Sequence, residues 1–107
     1  MYNYHVIGIR IEWDEAKNLS NQHKHGVSFE EASRVFLDPL SVSVKERIEN
    51  GEEHWQTFGL VDAVLVLMVA HTVREENIKG MQVEVIRIIT AREATARERR
   101  RYEDENC

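Results

Sequence analysis

The sequence predicts an α+β fold, in which helices pack against a mostly antiparallel sheet. Three observations lead to this prediction. A short alternating apolar stretch precedes two helical segments, residues 41–90 contain four strand-like stretches joined by turns and a loop, and a charged helical segment follows them. The expected order is an N-terminal strand, two helices, a four-strand meander and a C-terminal helix, with the first two helices covering the sheet.

Residues 6–13 alternate between apolar and polar side chains, which predicts a half-buried strand. Its apolar face would consist of Ile7, Ile9, Ile11 and Trp13, and its other face of Gly8, Arg10 and Glu12. Asp14 predicts the N-cap of a first helix, and Gly26 suits its C-terminal cap. We expect this helix to bury a narrow face formed by Ala16, Leu19 and His23.

The second helix is expected to begin at Ser28, because Ser28 and Glu31 have the spacing of a capping box. Its buried stripe would contain Phe29, Ala32, Val35 and Phe36. The helix should end before the Asp38–Pro39 pair, since a proline disfavours helical geometry in the residue that precedes it.

Four strands are predicted after this helix. Residues 41–46 alternate, with Val42 and Val44 inward, and the Asn50–Gly51 pair predicts a reverse turn into a strand over residues 53–60. A turn near Asp62 precedes the unbroken apolar run of residues 64–70, which is typical of a central strand covered on both faces. A polar loop over residues 73–80 then leads to the last strand, residues 81–90.

Two capping boxes compete for the start of the last helix, Thr90 with Glu93 and Thr95 with Glu98. We favour the start at Thr95. Residues 90–94 would then form an irregular exit from the strand, with Arg92 facing outward. This helix offers little to the core, since its apolar side chains are Ala94, Ala96 and Tyr102.

The composition narrows the classes of function. A chain of 107 residues with 42% hydrophobic content suits one domain spanning residues 1–107. Cys107 is the single cysteine, so no intrachain disulfide is possible, and we expect a cytoplasmic protein without a membrane span or secretory signal. The net charge of −5 argues against indiscriminate binding to nucleic acid.

Several polar and aromatic residues in predicted strands are candidates for function. Arg87 lies in an apolar row and needs a partner, which is either a cross-strand acid such as Glu53 or a ligand. His71, at the expected end of the central strand, has either a structural role or a role in proton transfer. Trp55 and Tyr102 suit either the core or stacking on unpaired bases.

We expect no metal and no cofactor. The histidines His23 and His25 are two residues apart on a helix, so they point in different directions, and no third ligand completes the set. The sequence also lacks a phosphate-binding loop, a nucleophile elbow and a dinucleotide-binding fingerprint.

Two blocks of residues resemble the BrnT toxins, a family within the RelE-like ribonuclease superfamily. The first block contains Trp13, Asp14, Lys17, Asn21, the KHGV run of residues 24–27, Phe29, Glu30 and Ala32. The second contains His71, Thr72, the RIITAR run of residues 87–92, Ala94, Thr95, Glu98 and Tyr102. The chain departs from the family pattern at Thr90, where Ser is usual, at His54, where Arg is expected, and in a longer loop after Thr72.

The resemblance implies a RelE-like α+β domain that belongs to a type II toxin-antitoxin system. Such a toxin cleaves RNA without a metal and inhibits translation and growth. A cognate antitoxin neutralises it, usually through a protein with a ribbon-helix-helix part that connects the complex to operator DNA. The alternative is a binding module without catalysis, acting as a co-repressor with a ribbon-helix-helix partner.

RNA cleavage without a metal needs a base, an acid and positive charge at the reacting phosphate. Arg92 and Arg87 are expected to supply the charge, and His71 or Glu53 the base. The residues expected to hold the RNA or to assist are Lys24, Arg97, Trp55 and Tyr102.

Overall fold

A single six-stranded sheet organises the protein in the computed structural model, which describes residues 5–6 and 8–106. Its strands are β1 (His5–Val6), β2 (Ile9–Glu12), β3 (Val42–Glu49), β4 (Glu52–Val61), β5 (Leu65–Ile78) and β6 (Met81–Glu93). They lie in the order β1-β2-β6-β5-β4-β3, and every neighbouring pair is antiparallel except β2 and β6, which are parallel. The predicted α+β class with a mostly antiparallel sheet is confirmed.

Three α-helices flank this sheet, namely α1 (Glu15–His25), α2 (Phe29–Ser33) and α3 (Ala96–Glu105), and the 3-10 helix Arg34–Leu37 continues α2. One face of the sheet is covered by Phe29 of α2 and Val35 of the 3-10 helix, which pack with Leu67 and Val69, and it is called the helix face. The opposite face, which carries Arg74 and Arg87, is called the arginine face. Tyr102 of α3 packs on part of it, with the side chains of Phe58 and Met68. No helix among the described residues is long and apolar enough to cross a bilayer.

The predicted helix caps are confirmed. The Asp14 side chain accepts a hydrogen bond from the first turn of α1, and Gly26 ends that helix with a left-handed φ of 71°. Capping boxes begin α2 at Ser28 and α3 at Thr95. The structure therefore settles the choice between the two candidate boxes of the last helix in favour of Thr95.

The first predicted strand is not continuous. The chain reverses before Ile9, which pairs with Val6, and Gly8 adopts a φ of 80° at this turn. Glycine adopts such a positive φ without steric cost. Alternation alone did not reveal the reversal, because both arms of the hairpin have strand-like composition. The predictions for Ile7 and Cys107 lie outside the described residues.

The buried face of α1 was also predicted wrongly. Ala16, Leu19 and His23 are exposed, and the helix buries Asn18 and Asn21 instead. These two amides are buried because each has partners in the backbone of neighbouring segments. The side-chain oxygen of Asn18, for example, accepts a hydrogen bond from the backbone N–H of Phe29, the first residue of α2, at 2.7 Å.

Asn21 completes the edge of the sheet where β2 ends. The last residue of β2, Glu12, pairs with Arg87, so the following residues of β6 have no strand beside them on that edge. The Asn21 side chain donates to the Ala91 carbonyl at 2.8 Å and accepts the Ala91 N–H at 3.1 Å. The side-chain amide of Asn21 thus gives hydrogen-bond partners to both the N–H and the C=O of Ala91. Buried backbone groups need such partners, because an unpaired polar group away from water is costly.

The polar loop predicted over residues 73–80 is wrong, since β5 continues to Ile78 and turns into β6 at Lys79 and Gly80. Likewise, β6 continues beyond Thr90 to Glu93. The end of β5 extends past β4, and residues 74–77 are all polar, so this arm of the hairpin shows no apolar alternation. Backbone hydrogen bonds between β5 and β6 form these extensions of the two strands. Their polar side chains give no strand pattern in the sequence.

Candidate active site

Polar side chains cross the arginine face in one row, at a single level of the sheet. The row passes through His54 on β4, Thr72 on β5, Arg87 on β6 and Glu12 on β2, each paired by register with the next. Neighbouring strands lie about 4.8 Å apart, so the backbones of His54 and Arg87 are separated by about 10 Å. An imidazole, a hydroxyl, a guanidinium and a carboxylate therefore lie side by side.

Glu12 is the buried anion of this row, with 8% of its side chain exposed. Its carboxylate accepts a hydrogen bond from Nη1 of Arg87 at 2.9 Å and another from Nη2 of Arg74 at 3.2 Å. A buried carboxylate needs such partners, because desolvation without them is costly. In turn, the carboxylate fixes the position of both guanidinium groups.

Both arginines keep part of their surface in solvent, with 36% of the Arg87 side chain and 29% of the Arg74 side chain exposed. Burial alone would lower the pKa of Arg74, but the carboxylates of Glu12 and Glu76 outweigh this effect and raise it. Both guanidiniums are held in place by Glu12 and are accessible from the arginine face. This arrangement can bind an oxyanion.

Arg87 does have an acidic partner, but the predicted choice of Glu53 is wrong. Glu53 lies on β4, which β5 separates from β6. Its carboxylate accepts hydrogen bonds from Lys45 at 3.1 Å and from the Trp55 indole at 3.2 Å, and these lower its pKa. Glu53 thus belongs to a surface cluster with Trp55.

His71 is buried on the helix face, with 4% of its surface exposed. Its Nε2 lies 2.7 Å from the Thr57 hydroxyl oxygen, and its ring packs edge-on against Phe36 with 4.9 Å between the ring centroids. Burial lowers the pKa of His71 to about 4. The residue lies inside β5, and not at a strand end as predicted, so its surroundings are those of a structural histidine.

The structure places His71 and Trp55 away from the arginines. Both line a groove of about 350 Å³ on the helix face, whereas Arg87 projects from the other side of the sheet. The Lys45 ammonium lies 5.8 Å from the centre of the Trp55 ring. The predicted set of catalytic residues is therefore divided between two faces.

Arg92 connects β6 to α3. Its guanidinium donates to both carboxylate oxygens of Glu98, at 2.7 and 3.1 Å, and this hydrogen bonding raises the pKa of Arg92. Glu98 also accepts the backbone N–H of Thr95 at 2.9 Å, so one carboxylate caps the helix and holds the strand. Arg92 lies within β6, opposite Met68, and the predicted irregular segment is wrong.

The residues expected to hold RNA are also dispersed. Tyr102 is buried, and its hydroxyl donates to Asp38 at 2.5 Å. Burial and this hydrogen bond raise the pKa of Tyr102 to about 12, so the structure favours the core alternative for its ring. Arg97 is exposed on α3, in a shallow groove lined by side chains of both signs. Lys24 is exposed on α1, beside the edge of β6.

Three members of the arginine face were missed as site residues, namely Glu12, His54 and Arg74. The need of Arg87 for an acidic partner could have pointed to Glu12. The sequence does not show, however, that β2 pairs in parallel with β6 and so brings Glu12 beside Arg87. Arg74 was assigned to a loop. Among the described residues, no three His, Cys, Asp or Glu side chains are grouped closely enough to hold a metal ion.

A family model described as the ribonuclease toxin BrnT of type II toxin-antitoxin systems matches residues 13–98. Among solved structures, the chain is similar to the 1.1 Å crystal structure of the Brucella abortus ribonuclease toxin BrnT. The TM-score is 0.50 at 20% sequence identity, and the match covers 79% of this chain and 95% of that chain. At this identity the likeness concerns the fold. The search of curated proteins finds no match.

Proposed function

Because the chain belongs to the BrnT family of ribonuclease toxins of type II toxin-antitoxin systems, we propose that it is an endoribonuclease that cleaves RNA without a metal ion. Cleavage of cellular RNA would inhibit translation and growth. The observation that best supports this proposal is the pair of guanidiniums, Arg87 and Arg74, that Glu12 holds on the arginine face. A planar guanidinium matches the oxygens of a phosphate group with two parallel hydrogen bonds.

The proposed reaction uses the RNA's own 2′-hydroxyl as the nucleophile. A base removes its proton, the 2′-oxygen forms a bond to the adjacent phosphorus, and the bond from phosphorus to the 5′-oxygen of the next nucleotide breaks. An acid protonates that departing oxygen, leaving a 2′,3′-cyclic phosphate and a free 5′-hydroxyl. Negative charge grows on the phosphate during this step, so fixed positive groups accelerate it.

In this proposal Arg87 and Arg74 stabilise the charge on the reacting phosphate, and His54 transfers the proton. Imidazole is the side chain most often used for proton transfer in enzymes. His54 shares its row with Arg87, whereas His71 and Glu53 belong to the helix face, so we assign the base to His54. Thr72 lies between the two, and its hydroxyl oxygen is buried without a partner among the described residues.

A cognate antitoxin is the proposed protein partner. The net charge of −5 favours a basic partner protein over direct contact with DNA. An antitoxin with a ribbon-helix-helix part fits this charge, and contact with operator DNA would then occur through the antitoxin.

The experiment is an RNA cleavage assay with purified protein in EDTA. We expect cleavage to persist and the products to carry 2′,3′-cyclic phosphates. His54→Gln should reduce the rate by about 10²-fold or more, the usual contribution of a positioned proton-transfer group. His23→Gln removes an exposed imidazole from α1 and serves as the matched control, with an unchanged rate.

Two outcomes would contradict the proposal. Intact RNA at high concentrations of folded protein would favour the non-catalytic binding module. Cleavage that stops in EDTA and returns with a divalent metal would refute the metal-free reaction.

A further inference from the structure

A pocket of about 190 Å³ lies between α1 and the exposed edge of β6. Its lining includes three basic side chains, Lys17, Lys24 and His25, and two hydroxyls, from Ser20 and Thr90. We infer that this pocket, here called the α1 pocket, binds a phosphate of the RNA chain next to the nucleotide that is cleaved. The inference rests on the proposed ribonuclease function and adds a second contact to it.

The α1 pocket is formed by side chains that the helical spacing places on one side of α1 and by the buried amide of Asn21. Lys17, Ser20 and Lys24 are three and four residues apart, so they project from the same side of α1. Asn21 holds that side of α1 against β6, because its side chain bonds both backbone groups of Ala91. The Asn21 side-chain oxygen also accepts a hydrogen bond from the Thr90 hydroxyl at 2.8 Å. The basic side chains are therefore held beside the strand edge.

The charge of the α1 pocket is uncompensated. Its lining contains no carboxylate, and within residues 8–106 neither Lys17 nor Lys24 forms an ion pair. The helix dipole explains the positions of two of the basic residues, because Lys24 and His25 lie in the last turn of α1, where cations stabilise a helix. It does not account for Lys17, which lies in the first turn, where the dipole disfavours a cation.

The position of the α1 pocket relative to Arg87 suits a single RNA strand. Thr90 follows Arg87 by three residues on β6, which is at most about 10 Å along a strand. One phosphate could thus lie at the arginine face while a neighbouring phosphate lies at α1. Ammonium groups and hydroxyls, without a carboxylate, are the chemistry that recognises a phosphodiester.

The test uses a fluorescein-labelled decamer of 2′-O-methyluridine, which the protein cannot cleave because it has no free 2′-hydroxyl. Its Kd is measured against salt concentration for the full chain and for the Lys17→Gln/Lys24→Gln double variant. Each phosphate contact on a single strand contributes about 0.7 to the magnitude of the slope of log K against log salt concentration, so losing the one phosphate of the α1 pocket should reduce that magnitude by about 0.7. Lys79→Gln, at the distant β5–β6 turn, is the matched control and should keep the wild-type slope.

Cleavage kinetics separate this inference from the proposed function. The double variant should raise KM for RNA and leave kcat unchanged, because the α1 pocket does not touch the reacting phosphate. If the double variant matches Lys79→Gln in both slope and KM while wild type cleaves RNA, the inference is wrong and the ribonuclease stands. If wild type neither binds the decamer nor cleaves RNA, both are wrong.

Discussion

Glu12 is the residue on which the arginine face depends most. It is buried at the end of the four-residue strand β2, and its carboxylate holds guanidiniums from two other strands. Without this acid, Arg87 would lose its ion pair and Arg74 would keep only its bonds to Glu76, so the two guanidiniums would no longer be fixed relative to each other. These ion pairs hold the two guanidiniums in the positions that the proposed phosphate site requires, so the charges would not need to reorganise during the reaction.

The burial of His71 predicts how the free energy of unfolding depends on pH. Burial lowers the pKa of His71 from about 6.5 in the unfolded chain to about 4 in the folded protein, so the unfolded state binds more protons between these pH values. The free energy of unfolding should therefore fall as the pH decreases from 6.5 to 4, and His71 should contribute about 3 kcal/mol of that fall. The measurement is urea unfolding of wild type and His71→Gln across this range.

The His71→Gln variant should lose this part of the pH dependence while keeping the part due to carboxylates such as Asp38 and Glu98, whose pKa values are lowered in the folded protein. Parallel curves for the two proteins would mean that folding does not lower the pKa of His71, contrary to the effect expected from its burial.

At the level of elements, the 3-10 helix and β4 approach each other closely at Gly59. A Cβ atom added there would lie 2.7 Å from Cγ1 of Val35 and 3.0 Å from its carbonyl oxygen. Gly59→Ala should therefore lower the free energy of unfolding by about 2 kcal/mol through overpacking. In a Val35→Ala background the cost should be smaller, because the nearest methyl group is gone, and urea unfolding of the four proteins gives the coupling. Strictly additive effects would contradict the contact.

Elements that depend on neighbours in sequence were predictable, and those that depend on distant partners were not. The caps at Asp14, Ser28 and Thr95 bond residues within one turn, so the local spacing contains the information. Asn21 is buried because a strand 70 residues away needs its amide. No local pattern distinguishes that asparagine from an exposed one.

At the level of the whole molecule, the sheet separates two surfaces with different chemistry. The arginine face presents fixed cations and a histidine, and the helix face presents a groove lined by aromatic and hydroxyl side chains. Alternation along a strand shows which of its residues share a face. It does not show which face of one strand matches which face of the next, and this is why His71 and Arg87 were predicted to act together.

We propose that catalysis occurs on the arginine face through Arg87, whereas Arg92 has the structural role of connecting β6 to α3 through Glu98. Lysine at either position keeps the charge but loses the planar fork, so the two variants form a matched pair. The measurement is the single-turnover rate of RNA cleavage, together with the free energy of unfolding, for Arg87→Lys and Arg92→Lys.

Arg87→Lys should lower the rate by about 10²-fold, as expected for the loss of one donor to a developing oxyanion. Arg92→Lys should lower the free energy of unfolding by about 1 kcal/mol, through its weakened bond to Glu98, and keep the rate within about threefold of wild type. The opposite result, in which folded Arg92→Lys cleaves no RNA and Arg87→Lys is fully active, would contradict catalysis through Arg87.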